Sequence, residues 1–310
     1  MSGALDRILR QSGEDLLSTL SEKLTPSDLQ TLMLEVYRLR ATRQSPGKLL
    51  EQHEENRFAR PSPMDPRTVL VFDSLAFSLA APLFEPIELS PTAPLGTTAA
   101  VTNISQNNIV STARNVEVMA DPTNAMALEC AVRRKRGEKA QRVRLCCSQR
   151  VTRAQAIAGP NSWAHFRLFA LTSAGRDEGS YRFEIDEMAS HIGFYIRLLK
   201  AWSSNAYTIR VVLTNFGGEP LEQAQKEIAE RLGEGVTVQL DTERASGRTY
   251  YIGFCFQIWL IDGEGNESFL ADGGITDWTQ KLLSNKKERF MISGIGAERF
   301  CSLFPPTSQT

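Results

Sequence analysis

From Leu16 to Leu39 apolar residues recur at helical spacing, and Thr25-Pro26-Ser27-Asp28 opens a second helix within that stretch, which predicts a helical N-terminus. Residues 41–60 are polar, with Gln44, Ser45, Pro46 and Gly47 ahead of a Glu/His/Asn run. They read as a linker or loosely packed arm, and the core is expected to begin near Phe58. Asp65-Pro66 then starts a helix through Val69, Leu70, Phe72, Leu75 and Phe77, with Asp65 as its cap and Pro66 in its first turn. Further along, the pattern predicts strands over 84–89, 116–119, 143–151, 166–172, 207–213, 236–240, 250–261 and 290–293. Helices are expected over 124–134, 187–202, 221–232 and 277–283, with a short one at the end. The turn Asp262-Gly263-Glu264-Gly265-Asn266 closes the longest strand. Strands joined by tight turns and interleaved with helices fit an α+β fold around one mostly antiparallel sheet better than a doubly wound parallel one.

With 310 residues, the chain suits one large core (58–310) preceded by a helical segment and linker (1–57). Hydrophobic residues make up 42% and charged residues 23%, enough to bury a sizeable core and to exclude a chain disordered in bulk. Thirty-five basic residues against 36 acidic ones leave a net charge of -1, so no global field draws the protein to nucleic acid or to an anionic membrane. The one basic cluster, Arg133, Arg134, Lys135 and Arg136, reads as a solvated helix end. Cys130, Cys146, Cys147, Cys255 and Cys301 lack metal-ligand spacing and read as reduced core residues, so no metal site is expected from them. There is no signal-peptide core and no run near the ~20 apolar residues that span a bilayer, which makes the cytoplasm the expected compartment and membrane contact unexpected.

The most informative chemistry lies at Ser293-Gly294-Ile295-Gly296-Ala297-Glu298-Arg299-Phe300, a strand running through two glycines into a helix that presents an arginine. Glycines allow close backbone approach to a ligand, and a guanidinium binds phosphate through several donors. This segment resembles motif 3 of the class II aminoacyl-tRNA synthetases, and the other motifs follow in order. Arg144 to Gln155 is similar to the motif 2 strand, with Arg153 on the arginine that grips the α-phosphate and carboxylate and Gln155 in place of the usual glutamate. The helix at 65–80, the strand at 84–89 and Pro91 resemble motif 1, which builds the family's dimer interface. Asp121-Pro122-Thr123 lies where histidyl-type enzymes carry Arg-Pro-Glu-x-Thr; Thr123 is kept and the arginine position is Ala120. Gly247-Arg248-Thr249-Tyr250-Tyr251-Ile252-Gly253 resembles the histidine-binding Arg-Gly-Leu-Asp-Tyr-Tyr segment, with Ser246 and Thr249 at its arginine and aspartate positions. Asp272-Gly273-Gly274 resembles the Gly-Gly element before motif 3.

The resemblance spans about 58–304 and is closest to histidyl-tRNA synthetase and to the ATP phosphoribosyltransferase regulatory subunit. It implies catalytic roles for Arg153 and Arg299, nucleotide contacts at Arg153, Gln155, Phe166, Gly294, Gly296 and Arg299, and substrate contacts at Arg248, Tyr250, Tyr251, Gly273 and Gly274. ATP with Mg²⁺ is the implied cofactor. Leu168 and Thr172 stand where a histidine-selective enzyme carries glutamine and glutamate, which argues against free histidine as ligand. The chain ends eleven residues after Arg299, so an anticodon domain, and with it whole tRNA, is not expected. The expected function is a homodimeric, synthetase-like regulator of a partner enzyme, without tRNA aminoacylation, that binds a nucleotide, a small amino-acid-like ligand or both; the alternative is an ATP-dependent ligase that forms an acyl-adenylate for a non-tRNA acceptor. His165 is a further acid/base candidate, and His191, on an apolar helix face with Ile192, Tyr195 and Leu198, reads as a packing histidine before an acid/base one. Glu184, Asp186 and Glu187 read equally as carboxylates near the nucleotide pocket, available to a metal-bound nucleotide, and as the acidic N-terminus of a helix.

Overall fold

The computed structural model describes residues 3–137, 142–155, 163–203, 207–217, 221–248 and 250–304. The chain begins with α1 (Gly3–Ser12), α2 (Leu16–Ser18), one π-helical turn over Thr19–Lys23, α3 (Pro26–Ala41) and α4 (Pro46–Glu55). None of them buries a residue. Thr25 opens α3: its hydroxyl oxygen accepts from the Asp28 amide at 3.2 Å and its proton goes to Asp28 Oδ2 at 2.8 Å. The polar stretch read as a linker or loosely packed arm holds α4: Ser45 opens it by accepting from the Lys48 amide, and Pro46 fits its first turn.

The core continues with α5 (Pro66–Ala80), β1 (Glu85–Pro86), β2 (Thr92–Pro94), α6 (Thr97–Thr102), β3 (Val116–Val118), α7 (Pro122–Arg136), β4 (Val143–Thr152) and β5 (His165–Arg176). Then come α8 (Arg182–Trp202), β6 (Thr208–Asn215), α9 (Glu222–Leu232), β7 (Val236–Leu240), β8 (Phe254–Ile261), β9 (Glu267–Thr276), α10 (Trp278–Leu283), β10 (Glu288–Gly296) and α11 (Ala297–Leu303). Eight strands form one sheet in the order β1-β4-β5-β10-β9-β8-β6-β7. Pairings from β4 through β6 are antiparallel, while β1 with β4 and β6 with β7 are parallel, so the sheet is mostly antiparallel with a parallel pair at each edge.

Side chains alternate across the sheet. One face carries Phe169, Leu171, Met291, Ile295, Phe256 and Ile258 into a core closed by α5, α8, α9 and α11. The other carries Leu145, Cys147, Ala170, Phe290 and Ile292 against Met126, Ala127 and Cys130 of α7 and against Trp278. Arg134, in the last turn of α7, is buried and ion-paired with buried Glu288 at the start of β10, which corrects the solvated reading of that arginine. Its neighbour Arg133 reaches Glu85 and Glu129 at the surface.

The sheet differs from the sequence reading at three points. The strand over 116–119 lies outside the large sheet: β3 pairs with β2, with one further bridge from Glu117 to Ser111, and the buried Glu117 side chain takes its donors from Gly96, Thr98 and Gln106. The stretch after the Asp262 turn is a full strand, β9, where Asp272, Gly273 and Gly274 had hidden the strand pattern. The predicted strand from Tyr250 starts only at Phe254, since the amides of Tyr250 and Tyr251 both turn back to the Gly247 carbonyl.

Candidate functional site

A cleft of about 780 Å³ opens on the α7 face of the sheet, beside the N-terminus of α7. Its floor is a lateral row: Ala170 of β5 stands opposite Gly294 of β10, and Gly294 stands opposite Asp272 of β9. Directly opposed residues share a face, so two minimal side chains and one carboxylate form this part of the floor. All three line the cleft.

The glycines divide by physical reason. A Cβ on Gly294 would meet only the Phe169 carbonyl oxygen, at 3.7 Å, and one on Gly296 only Arg299 Cβ, at 3.6 Å; the protein's own packing demands neither glycine. Each leaves open floor where a ligand could approach the backbone. Gly273 and Gly274 differ. A Cβ on Gly273 would lie 2.5 Å from the Ile292 carbonyl oxygen, and one on Gly274 2.7 Å from the Tyr251 ring. Both are required by sheet packing and neither lines the cleft; Gly274 serves the site by leaving space for the Tyr251 ring.

Arg153 follows the end of β4, its amide bonded to the Ala164 carbonyl at 2.8 Å. Its Nε donates to the Ala120 carbonyl at 3.3 Å, Nη2 lies 3.7 Å from Asp121 Oδ2, and the guanidinium sits 5.1 Å over the Phe166 ring. Asp121 is the joint of the site. One oxygen caps α7 by accepting from the amide and hydroxyl of Thr123, and the other accepts from the Tyr250 hydroxyl at 3.0 Å. Burial and the Asp121 charge push the Tyr250 phenol well up, so it stays a neutral donor. Arg299, in the first turn of α11, is exposed, with its guanidinium 5.9 Å from the Phe269 ring. Among the described residues no carboxylate ion-pairs with Arg299.

The facing wall is α6 and the segment that follows it to residue 109, which contribute Thr98, Asn103, Ser105 and Asn108. Buried Glu117 holds it by accepting from the Gly96 amide, the Thr98 amide and hydroxyl, and Gln106 Nε2 at 2.7–3.0 Å. Burial alone would raise this carboxyl, but the donors outweigh it and hold it below the usual range. The Asn108 carbonyl accepts from the Ala154 amide at 3.2 Å, tying this wall to the Arg153 segment.

Of the residues singled out in the sequence, Arg153, Gln155, Phe166, Tyr250, Tyr251, Gly294, Gly296 and Arg299 come together around the cleft. Arg248 does not: it is exposed, with its guanidinium 4.9 Å over the Phe216 ring. Thr249 lies outside the described residues. Leu168 lines the cleft, whereas Thr172 is buried under α7 with its hydroxyl 3.8 Å from Cys130 Sγ. For the acidic trio the helix-start reading holds and the pocket reading is corrected. Glu184, Asp186 and Glu187 belong to α8 on the opposite face, paired with Arg289, with Arg142 and Arg231, and with Arg142 and Arg144. His191 is on α8 too, fully buried between Ser173 and Ser293, and burial drives its pKa down to about 3. His165 joins Arg150 to the Arg60 carbonyl, so it fastens the segment entering the core. Sequence reasoning passed over Asp121, Asp272 and the 97–109 wall; for Asp121 the signal was present in the Asp-Pro-Thr cap pattern.

Solved structures supply the comparison. The chain aligns with apo histidyl-tRNA synthetase of S. aureus at 13% identity and a TM-score of 0.60, over 78% of this chain and 66% of that one. With histidyl-tRNA synthetase from Nostoc sp. PCC 7120 the values are 14% and 0.60, over 80% and 74%. An ATP phosphoribosyltransferase regulatory subunit/histidyl-tRNA synthetase from Bacillus halodurans C aligns at 14% and 0.57, over 81% and 83%. The chain has a class II synthetase-like fold. It spans about two thirds of the length of the staphylococcal enzyme. No family model matches the sequence, and no curated protein matches it. Among the described residues no helix is long and apolar enough to cross a membrane, and no group of three His, Cys, Asp or Glu side chains is placed to hold a metal ion.

Proposed function

We propose that this chain is a synthetase-like protein without tRNA aminoacylation, which binds a nucleotide and a small amino-acid-like ligand in the cleft and regulates a partner enzyme as a homodimer. The observation that carries the nucleotide half is the pairing of two guanidiniums with a bare floor. Among the described residues Arg153 has a carboxylate no nearer than 3.7 Å and Arg299 has none in ion-pairing reach, and Gly294 and Gly296 leave their stretch of backbone uncovered. Guanidiniums without tight carboxylate partners keep their donors for phosphate oxygens. The donor set therefore fits ATP, with Arg153 and Arg299 holding its phosphates and Phe166 offering an aromatic face. Mg²⁺ would come with the phosphates, since it commonly binds through them and only one or two carboxylates.

The regulatory half rests on two points. The solved relative from Bacillus halodurans C is named as a regulatory subunit as well as a synthetase. The amino-acid end of the cleft has Leu168 in its wall and a buried Thr172, in place of the polar pair of a histidine enzyme. Dimerisation through α5 is supported by Leu70 and Val71, which expose 66% and 54% of their surface on that helix.

The alternative, an acyl-adenylate-forming ligase, draws on the same two arginines, because charge stabilisation at the phosphates is what in-line attack by a carboxylate needs. Pyrophosphate exchange with each of the twenty amino acids separates the two: no exchange supports the regulator, and exchange with any one of them overturns it. Nucleotide binding itself is tested by calorimetry with Mg-ATP.

A further inference from the structure

The proposed nucleotide contacts leave one charged group of the cleft without a role. Asp272 is placed on β9 directly opposite Gly294 on one flank and Gln257 on the other. It lines the cleft with Tyr250 and Tyr251. Gly294 has no side chain, so nothing on that flank covers the carboxylate from the cleft. The carboxylate is not consumed by the fold either: among the described residues no ammonium or guanidinium ion-pairs with it. Two cations act on it without ion-pairing: Arg244, a buried guanidinium already committed to the Ser246 carbonyl at 2.9 Å and to Cys255 Sγ at 3.4 Å, and, more weakly, Arg153. The sequence offers a contrast, because this position opens a Gly-Gly element where a carboxylate adds nothing to sheet pairing and disfavours a strand.

An acidic side chain facing a cavity carries a desolvation cost that an unpaired charge does not recover. Burial does push the Asp272 carboxyl above the usual range, against the pull of Arg244 and Tyr251. The missing partner is a cation delivered from the cleft side. Arg153 and Arg299 would take the anionic group of a ligand set and Asp272 its cationic group, while Asp121, which caps α7 and lies 3.7 Å from Arg153, is already used by the fold.

We infer that Asp272 is the specificity determinant of the cleft, and that it selects a small ligand bearing a protonated amine, seated beside Tyr250 and Tyr251. This rests on the reading of the cleft as a nucleotide and amino-acid-like site, and deepens it. The partly apolar surroundings, with Leu168, Ala170 and Ile292, suit an amine on a short aliphatic stem rather than an extended polar side chain.

The test uses the full chain, wild type and Asp272→Asn, in calorimetry. Mg-ATP is titrated first. The twenty amino acids and a series of straight-chain alkylamines follow on the ATP-loaded protein, and every compound that binds is compared with its analogue in which hydrogen replaces the ammonium group. Asparagine keeps an acceptor for Tyr251, so the floor stays intact, and circular dichroism with a thermal melt checks that it does. The expected result is that at least one amine binds, that its deamino analogue binds at least tenfold more weakly, and that Asp272→Asn weakens the amine tenfold or more while Mg-ATP affinity moves by less than twofold. No amine bound by the wild type, an analogue bound equally well, or an amine insensitive to Asp272→Asn would each overturn the inference. Failure of Mg-ATP to bind, with amine binding still dependent on Asp272, would instead sink the nucleotide reading and leave this one standing.

Discussion

Substituting alanine at Gly294 and at Gly273, two glycines on adjacent strands, should give opposite results, because one is empty for the ligand's sake and the other for the sheet's. At Gly294 the added methyl meets only the Phe169 carbonyl oxygen at 3.7 Å, an ordinary contact, and the backbone is not left-handed. Removing a glycine from a strand then costs nothing and recovers up to about 0.5–1 kcal/mol of unfolded-state entropy. At Gly273 the methyl would sit 2.5 Å from the Ile292 carbonyl oxygen and from Ser293 Cβ, and 2.7 Å from the Phe256 ring. Those neighbours are backbone and packed core, so overpacking should cost about 1–3 kcal/mol or more. At about 2–4 °C per kcal/mol for a domain somewhat smaller than this one, Gly273→Ala should melt about 2–12 °C below wild type, and Gly294→Ala level with it or slightly above. Ligand binding reverses the ranking: Gly294→Leu, which sends a side chain into the cleft, should abolish Mg-ATP binding in a protein that folds normally. Scanning fluorimetry gives the melting points and calorimetry the binding. The reasoning is refuted if Gly294→Ala is as destabilised as Gly273→Ala, or if Gly294→Leu folds and binds ATP like wild type.

The buried Arg134–Glu288 pair should behave as an all-or-none unit: Arg134→Met alone leaves a buried carboxylate and should cost about 3–5 kcal/mol, while the double variant Arg134→Met, Glu288→Leu should recover most of it in urea titrations. His191, with a folded pKa of about 3 against 6.5 unfolded, stays neutral in the native protein while the unfolded chain takes up a proton below pH 6.5. Its contribution is therefore fully present above pH 6.5 and is lost by about 1.4 kcal/mol per pH unit as pH falls toward 3, so His191→Asn should flatten the stability profile between pH 6 and 4.5 by one proton's worth of slope.

How far the sequence foretold this site depends on whether a residue's role is local or comes from pairing. Arg153 and Arg299 were legible because each sits in a short motif whose strand-to-helix or strand-to-loop context is local. The cap at Asp121 was local as well, and its double use by Thr123 and Tyr250 was not, since Tyr250 comes from 129 residues further along. Asp272 was legible only as part of a Gly-Gly element; its importance lies in the partners that β9 acquires across the sheet, and β9 itself was masked by two glycines that weaken its strand pattern. Glu184, Asp186 and Glu187 show the converse failure. Their spacing made an acidic helix start near the site in sequence, but α8 packs on the other face of the sheet and spends those charges on Arg142, Arg144, Arg231 and Arg289. The same holds for Glu117, whose burial in a short two-stranded sheet orders the wall facing the arginines.

The central claim is that the cleft is a nucleotide site held by two arginines from separate motifs, and isothermal calorimetry with Mg-ATP on wild type, Arg153→Ala and Arg299→Ala tests it most directly. Wild type should bind with a measurable heat; Arg153→Ala, in a partly dry pocket, should weaken binding by about 2 kcal/mol, close to 30-fold, and the more exposed Arg299→Ala by about 1.5 kcal/mol. A wild-type protein that takes up no ATP, or two arginine variants that bind it as tightly as wild type, would contradict the account.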